Sequence, residues 1–425
     1  MGLVTVTDTH RAIDAVWRIE SAKLIAGLTR LVGDVGQAED LAQDALVAAL
    51  ERWPKTGIPE KPGAWLMATA KHRAIDQLRR GKMLDRKHVQ VGHEMEIRQE
   101  AAVSDLDAAL DDDIGDDLLR LMFMACHPVL STEARVALTL RLVGGLTTPE
   151  IARAFLVAES TIAQRIVRAK RTLAEAHVPF EVPRGSELQA RLSSVLGVLY
   201  LVFNEGYSAT AGDDWMRPQL CEEALRMGRI LAELTPQEPE VHGLVALMEI
   251  QASRLRARTG PAGEPILLLE QDRARWDQLL IRRGLAALTR SEALGSSPGP
   301  YALQAAIAAC HARARSVEDT DWGHIVALYN ELMRVTPSPI VELNRAVAVA
   351  MASGPAAGLA LVEPLMSEPS LASYHLLPSV RADLLFKQGR LAEARAEFER
   401  AASMTQNARE RTLLLARAAE CRSTT

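Results

Sequence analysis

Apolar residues recur at helical spacing from Ala12 to Trp53, broken at Gly33-Asp34 and Gly36, a pattern that predicts a helical hairpin. Residues 54–63 then bring three prolines and two glycines, which predicts a rigid loop. A helix is expected from about Ala64 to Arg80, with Leu66, Ala70, Ala74, Ile75 and Leu78 on one side and basic residues largely on the others. Residues 117–177 predict a second compact unit, with helices in LLRLMFMAC and STEARVALTLRLV and two more flanking the Leu156-Val157-Ala158 turn. Ala, Leu and Arg recur throughout, while alternating runs of Val, Ile and Thr are scarce, so the fold class is all-α.

From about residue 186 to 425, helical pieces alternate with Pro or Gly stops and show internal similarity. ILAELTPQEPEVHGLVALMEIQAS resembles ELMRVTPSPIVELNRAVAVAMAS, which aligns Thr235-Pro236 with Thr336-Pro337. A second comparison, VELNRAVAVAMASGPAAGLALV with VRADLLFKQGRLAEARAEFERA, places Gly354 and Gly389 about one 34-residue unit apart. These are degenerate helix-turn-helix repeats resembling tetratricopeptide repeats, strongest toward the C-terminus. Stacked repeats of this kind present a concave surface that holds a peptide or partner helix.

Charge sharpens this division. The net charge of −5 conceals a basic stretch, Lys71 to Lys87, followed by a dense acidic one, Glu94 to Asp117. The latter reads as a linker between the two N-terminal units. Cys126, Cys221, Cys310 and Cys421 are far apart and form no C-x-x-C pair, which argues against a zinc knuckle or disulfide framework and fits a reducing cytoplasm. With no basic-then-apolar leader and no apolar run of spanning length, the expectation is a cytoplasmic protein with no membrane segment. There is no P-loop, no G-x-S-x-G and no metal-ligand cluster, so neither an enzyme nor a cofactor is expected.

The most specific local signal is GLTTPEIARAFLVAESTIAQRIVRAKRTLAEA, residues 145–176. Thr147 and Glu150 have capping-box spacing and Pro149 suits a first helical turn. In the following helix Ile162, Ile166, Ala169 and Leu173 form one apolar face, while Ser160, Thr161, Gln164, Arg165, Arg168 and Arg171 fall mainly on the other. Gln can pair with adenine, Arg with guanine or phosphate, and Ser or Thr with either. The spacing leaves open which of them reads bases and which grips phosphate. An amphipathic hairpin with a solvated basic face is the bland alternative.

Upstream, QAEDLAQDALVAALERW carries an apolar stripe of Leu41, Ala45, Ala48 and Ala49 with Asp40, Gln43 and Asp44 exposed, and it leads through the Pro/Gly loop to AWLMATAKHRAIDQLRR. An acidic-faced helix ending in Trp, a Pro/Gly loop and W-L-x-x-x-A-x-x-x-A-x-D-x-L-R-R resembles region 2 of the extracytoplasmic-function class of RNA polymerase sigma factors. Residues 117–178 resemble region 4, and the acidic stretch 83–116 sits where that class places its connector. With LYLVFNEGYSAT and the repeats of 186–425, the chain resembles the subgroup carrying a long C-terminal extension.

The resemblance implies roles by position. Asp40, Leu41, Gln43 and Asp44 match the face that docks on the clamp helices of the largest subunit of core RNA polymerase, region 4 meeting the flap. The loop from Pro54 to Gly63 matches the one that captures a flipped non-template base of the −10 element. Lys71, His72, Arg73, Gln77, Arg79 and Arg80 would serve phosphate and −10 contacts, within a region 2 spanning 10–82. The helix-turn-helix residues would meet the −35 element of promoter DNA. His72 is read as a surface contact rather than a metal ligand, and Asp76 as an ion-pair partner of Arg73 or Arg80. The tail would act by an intramolecular contact or a protein partner, with NEGYSAT pinning it to region 4 or capping a repeat. Leu156 departs from the pattern, since many relatives carry Gly there. The rival readings are a duplex-binding helix-turn-helix regulator with a repeat sensor, and a pure repeat adaptor. The first would lack the loop-and-basic-helix module, and the second would make both basic helices incidental.

Overall fold

The computed structural model describes residues 6–86, 114–295 and 297–423. Most of the expected acidic connector, 83–116, therefore lies outside the described residues. Helices make up nearly all the regular structure, as the all-α reading expects, and the chain divides into two compact units, residues 1–198 and 199–425.

The first unit contains α1 (Val6–Val32), α2 (Val35–Thr56), α3 (Pro62–Arg86), α4 (Ile114–Ala125), α5 (Thr132–Leu142), α6 (Thr148–Phe155) and α7 (Glu159–Glu175), with the first part of α8 (Gly185–Tyr207). The predicted hairpin is α1–α2, broken at Gly33, with the Asp34 side chain accepting from the Gln37 backbone N–H to start α2. The Pro/Gly segment is shorter as a loop than expected. Helix α2 continues through Pro54 to Thr56 and α3 starts at Pro62, because Pro62 fits a first helical turn where a missing N–H goes unused. The loop is thus 57–61. Leu41, Ala45, Ala48 and Ala49 are buried as the stripe predicts, as are Leu66, Ala70 and Ala74 of α3. Trp53, 2% exposed, meets Trp65 edge to face at 5.3 Å and joins the end of α2 to the start of α3.

The acidic connector was expected to separate two compact units. Instead, α1 packs on α2 and α3 of its own module and also on α4 and α5, so both modules share one body. The reason is apolar: Leu24, Ile25 and Leu28 of α1 and Leu121, Met122 and Phe123 of α4 are all 2% exposed or less, and a face that apolar needs cover.

The second unit begins within α8 and continues with α9 (Pro218–Leu234), α10 (Pro239–Ala252), α11 (Gln278–Leu294), α12 (Pro300–Arg313), α13 (Trp322–Val335), α14 (Pro339–Ser353), α15 (Pro355–Leu365), α16 (Leu376–Lys387), α17 (Leu391–Met404) and α18 (Ala408–Ser423). Successive helices pair, and the aligned Thr-Pro sites behave alike. Thr235 caps α9 with its N–H on the Leu231 carbonyl at 2.8 Å, and Thr336 caps α13 with its N–H on the Leu332 carbonyl at 2.8 Å. Gly354 and Gly389 both turn between paired helices at φ +96° and +75°, a left-handed region that strains residues carrying a Cβ. The repeat is interrupted between α10 and α11, where residues 253–277 hold three short 3₁₀ turns and an isolated antiparallel bridge between Thr259 and Pro265. A two-residue parallel ladder ties β1 (Ala211–Gly212) to β2 (Gln406–Asn407). The Asn407 amide, wholly buried, donates to the carbonyls of Ala209 and Asp214, which fastens the end of NEGYSAT and the residues after it to the C-terminal repeats. Within that motif Glu205 pairs with Arg217 and accepts the Thr210 N–H.

Candidate polymerase and nucleic-acid interface

The helix-turn-helix is built as its sequence predicts. Thr147 accepts the Glu150 N–H and the Glu150 carboxylate accepts the Thr147 N–H at 2.8 Å, closing the capping box. The turn passes through Leu156, held left-handed at φ 51° and 53% exposed, a conformation that a residue with a Cβ adopts only under strain. On α7, Ile162, Ile166, Ala169 and Leu173 are the buried residues. Ser160, Gln164, Arg168 and Arg171 are exposed, and Thr161 and Arg165 half-buried. Arg171 spends part of its charge on Glu175 at 3.4 Å, an exposed pair worth little.

The first module divides its predicted residues differently. Asp40 and Asp44 are exposed and Gln43 half-buried, its amide donating to Glu39 at 2.9 Å. Leu41 is 1% exposed, so its side chain is core and holds α2 in place rather than touching a partner from this surface. On α3, His72 is exposed with Nδ1 on the Ala68 carbonyl at 2.6 Å, Lys71 is half-buried, and Arg73 pairs with Asp44 at 3.2 Å. Gln77, Arg79 and Arg80 continue the same helix. Their side chains, and that of Asp76 with its expected ion pair, lie outside the described residues. The loop 57–61 is open, with Ile58 39% exposed.

Buried ion pairs between the modules, whose partners residue spacing does not single out, are a further feature of this unit. Glu39 of α2, 4% exposed, accepts from Arg141 of α5 at 2.6 Å and pairs with Lys170 of α7. Burial alone would raise its pKa, but the two cations and their hydrogen bonds outweigh this and hold it below its ordinary value. Arg30 of α1 with buried Asp117 of α4 at 3.0 Å, and Arg18 of α1 with Glu150 of α6 at 2.7 Å, add two more links between the modules. The signal was available: Glu39 falls on the same helical face as Ala38, Ala42 and Ala45, and a carboxylate on a buried face requires a cation facing it.

Comparison with known proteins matches the two modules separately. The sigma-70 region 2 family matches residues 20–83, and the sigma-70 region 4 family matches residues 120–173. Between residues 191 and 292 the chain matches a family of unknown function, DUF6596. "Probable ECF RNA polymerase sigma factor SigI" of Mycobacterium tuberculosis is 29% identical over 175 residues, 41% of this chain and 58% of that one. "ECF RNA polymerase sigma factor SigL" of the same organism is 29% identical over 167 residues, 39% of this chain and 83% of that one. The chain belongs to the extracytoplasmic-function (ECF) sigma factors. An uncharacterised protein of Rhizobium meliloti is 43% identical over 394 residues, covering 91% of this ECF sigma factor and 90% of its relative, so the likeness runs through the C-terminal extension as well. Core RNA polymerase and promoter DNA are the partners that the two sigma domains imply. Among the described residues no helix is long and apolar enough to cross a membrane, and no group of three or more His, Cys, Asp or Glu could hold a metal ion.

Proposed function

We propose that this ECF sigma factor docks on the clamp helices of the polymerase largest subunit through Asp40, Gln43 and Asp44, and on the flap through region 4. The loop 57–61 takes a flipped −10 base, and α3 grips the −10 duplex edge with Lys71, His72, Arg73, Gln77, Arg79 and Arg80. Helix α7 lies in the major groove at the −35 element, with Ser160, Thr161, Gln164, Arg165, Arg168 and Arg171 supplying base and phosphate contacts. The observation that carries the reading is α7 itself: a capped helix-turn-helix whose second helix buries one clean apolar seam and leaves Gln164, Arg168 and Arg171 in solvent on its other faces. Phosphates arriving at α7 compete with Glu39 for Lys170, so promoter engagement works against the packed form of the first unit. Chemistry is left to the polymerase, and residues 199–425 control output in cis or by docking a protein partner.

Run-off transcription with sigma-free core polymerase on a promoter library tests this. Specific transcripts are expected from the full chain, and Arg168→Ala with Arg171→Ala should lose −35-dependent transcripts while retaining polymerase binding. No transcripts, together with tight duplex binding in the absence of polymerase, would instead favour an operator-binding regulator. Output from residues 1–198 should differ from that of the full chain at equal protein level, and equal output would remove the control role of the extension.

A further inference from the structure

The interruption between α10 and α11 contains an arrangement that neither the sigma domains nor the repeats call for. Arg254 and Arg258, 9% and 7% exposed, and Arg273 from the 3₁₀ turn Arg273–Arg275 are threaded between aromatic rings. The Arg258 guanidinium carbon lies 3.5 Å from the Tyr207 ring centre and 5.5 Å from that of Trp215. That of Arg254 lies 5.7 Å from Tyr207 and 5.8 Å from Trp276, and that of Arg273 lies 5.0 Å from Trp276. Cation–π contact offsets part of the cost of burying these groups, but it does not cancel three positive charges.

Among the described residues no carboxylate pairs with them either. Arg258 donates to the Tyr207 carbonyl at 2.5 Å, and Arg273 donates to the carbonyls of His311 and Ala314 and to the Thr320 hydroxyl. Among the described residues the Arg254 guanidinium makes no hydrogen bond and no ion pair, and its Nε is buried. The exposed Glu318 and Asp319 act on Arg273 only through space. Buried atoms that lack a partner among the described residues include Nε of Arg254 and Arg273, Nε1 of Trp215 and Trp276, and Nδ1 of His311, with the acceptor Oε1 of Gln271 in the same stretch of chain. The first four can only donate. His311 records the same field: burial first, then Arg254 and Arg273, push its pKa down to about 4. An open cleft of about 650 Å³, lined by Arg256, Ala274, Arg275, Trp276 and Asp277, shares Trp276 with the cluster and brings two further exposed arginines to its mouth.

We propose that Arg254, Arg258 and Arg273, walled by Tyr207, Trp215 and Trp276, form a binding site for a small phosphoryl-bearing anion that enters by this cleft. A phosphoryl group offers a dianion and three terminal oxygens to three guanidiniums and the free indole N–H donors, a fuller match than a single carboxylate. The burial of Arg254 and Arg258 excludes a nucleic-acid backbone, which needs an exposed groove. The three arginines, the three aromatic residues that wall them and the cleft residues all lie within the segment shared with the family of unknown function. The site stands whether or not the extension controls transcription, and occupancy would fix the irregular stretch 253–277 that breaks the repeat.

The experiment is thermal unfolding and tryptophan fluorescence of the full chain titrated with inorganic phosphate, pyrophosphate and a nucleoside monophosphate, against sodium chloride at matched ionic strength. Expected is a saturable rise in Tm above the chloride control, with a fluorescence change, for at least one of the three. A response to phosphate or pyrophosphate marks a free phosphate site, and one confined to the nucleotide marks an organic phosphate. Arg254→Met should abolish the response, while Arg334→Met, far along the repeats on an exposed pair, should leave it intact. Should Arg254→Met fail to fold, Arg256→Ala and Arg275→Ala at the cleft mouth should weaken the response several-fold. Responses no greater than chloride for all three anions, or an equal response in Arg254→Met, would overturn the proposal.

Discussion

Two buried charge clusters in this protein are opposites. In the first unit the Glu39 carboxylate sits between Arg141 and Lys170, and Arg30 meets Asp117, so each buried acid has its cation and the helices bearing them are drawn together. In the second unit the buried Arg254 and Arg258 and the half-buried Arg273 share aromatic rings, and among the described residues none of the three pairs with a carboxylate. A buried charge that is balanced within the chain specifies an internal packing; one that is left unbalanced points outside the chain. The first cluster therefore belongs to conformation and the second to recognition. Removing a charge should have opposite signs in the two places, and this difference can be measured.

The largest effect is expected from Glu39→Ala. It leaves Arg141 and Lys170, each with a side chain only 21% exposed, side by side in the second module without the carboxylate that the first module supplied. The loss should be about 3–4 kcal/mol, toward the low end for a broken buried pair because both cations keep some water. Denaturant unfolding should show a lower midpoint, and small-angle scattering an expanded first unit. Glu39→Gln, which keeps a hydrogen-bond acceptor but no charge, should fall between the two. Unchanged stability in Glu39→Ala would break the comparison on its balanced side.

Acid separates the two clusters next. The folded pKa of Glu39 lies below its ordinary 4.5, so its stabilisation is present above that value and lost as pH falls through the folded pKa. His311 acts earlier. Its folded pKa is about 4 against an ordinary 6.5, so below pH 6.5 the unfolded chain binds a proton that the folded chain refuses. Stability should fall by up to about 3 kcal/mol between those pH values, at roughly 1.4 kcal/mol per unit. His311→Asn should flatten the unfolding profile in that window without moving the Glu39 limb. Arg254→Met should raise the His311 pKa, read by NMR, and raise the unliganded Tm. A fall in Tm would mean that the guanidinium serves packing rather than recognition.

The N-terminal pattern made much of this legible. Period 3.6 located α1 to α3 and α6 to α7, capping chemistry fixed Thr147, and paired Thr-Pro and Gly sites exposed the repeats. What escaped depends on long-range contact. That α1 covers α4 follows from two apolar faces far apart in sequence, which periodicity cannot pair. Leu41 shares its buried stripe with Ala45 and Ala48, so the same apolar spacing that places it on α2 also places its side chain in the core. The arginine cluster was invisible because it lies where the repeat fails, on 3₁₀ turns with no period, and draws its aromatics from Tyr207, Trp215 and Trp276.

A smaller effect isolates backbone strain from charge in the balanced unit. Leu156 pays about 1–2 kcal/mol for its left-handed conformation, while glycine there would lose roughly 0.5–1 kcal/mol in unfolded-chain entropy. Leu156→Gly should therefore stabilise by about 0.5–1 kcal/mol, since the 53% exposed side chain gives up little burial. Thermal unfolding checks the sign, and the pH profile should keep its shape, because no ionisable group moves.

The smallest effect is the exposed pair of Arg73 with Asp44, the control for burial itself. These side chains are 41% and 56% exposed at 3.2 Å, so the pair is balanced like Glu39 but stands in water. A double-mutant cycle with Arg73→Ala and Asp44→Ala should return a coupling of no more than about 0.5 kcal/mol, because solvent and salt screen it. A coupling near that of the Glu39 triad would mean that pairing, not burial, sets the energies of the first unit. Transcription should respond out of proportion to stability. Asp44→Ala removes a proposed polymerase contact and frees Arg73 for DNA, so lost polymerase affinity without lost Tm is the expected result, and a matched loss of both would return these residues to a structural role.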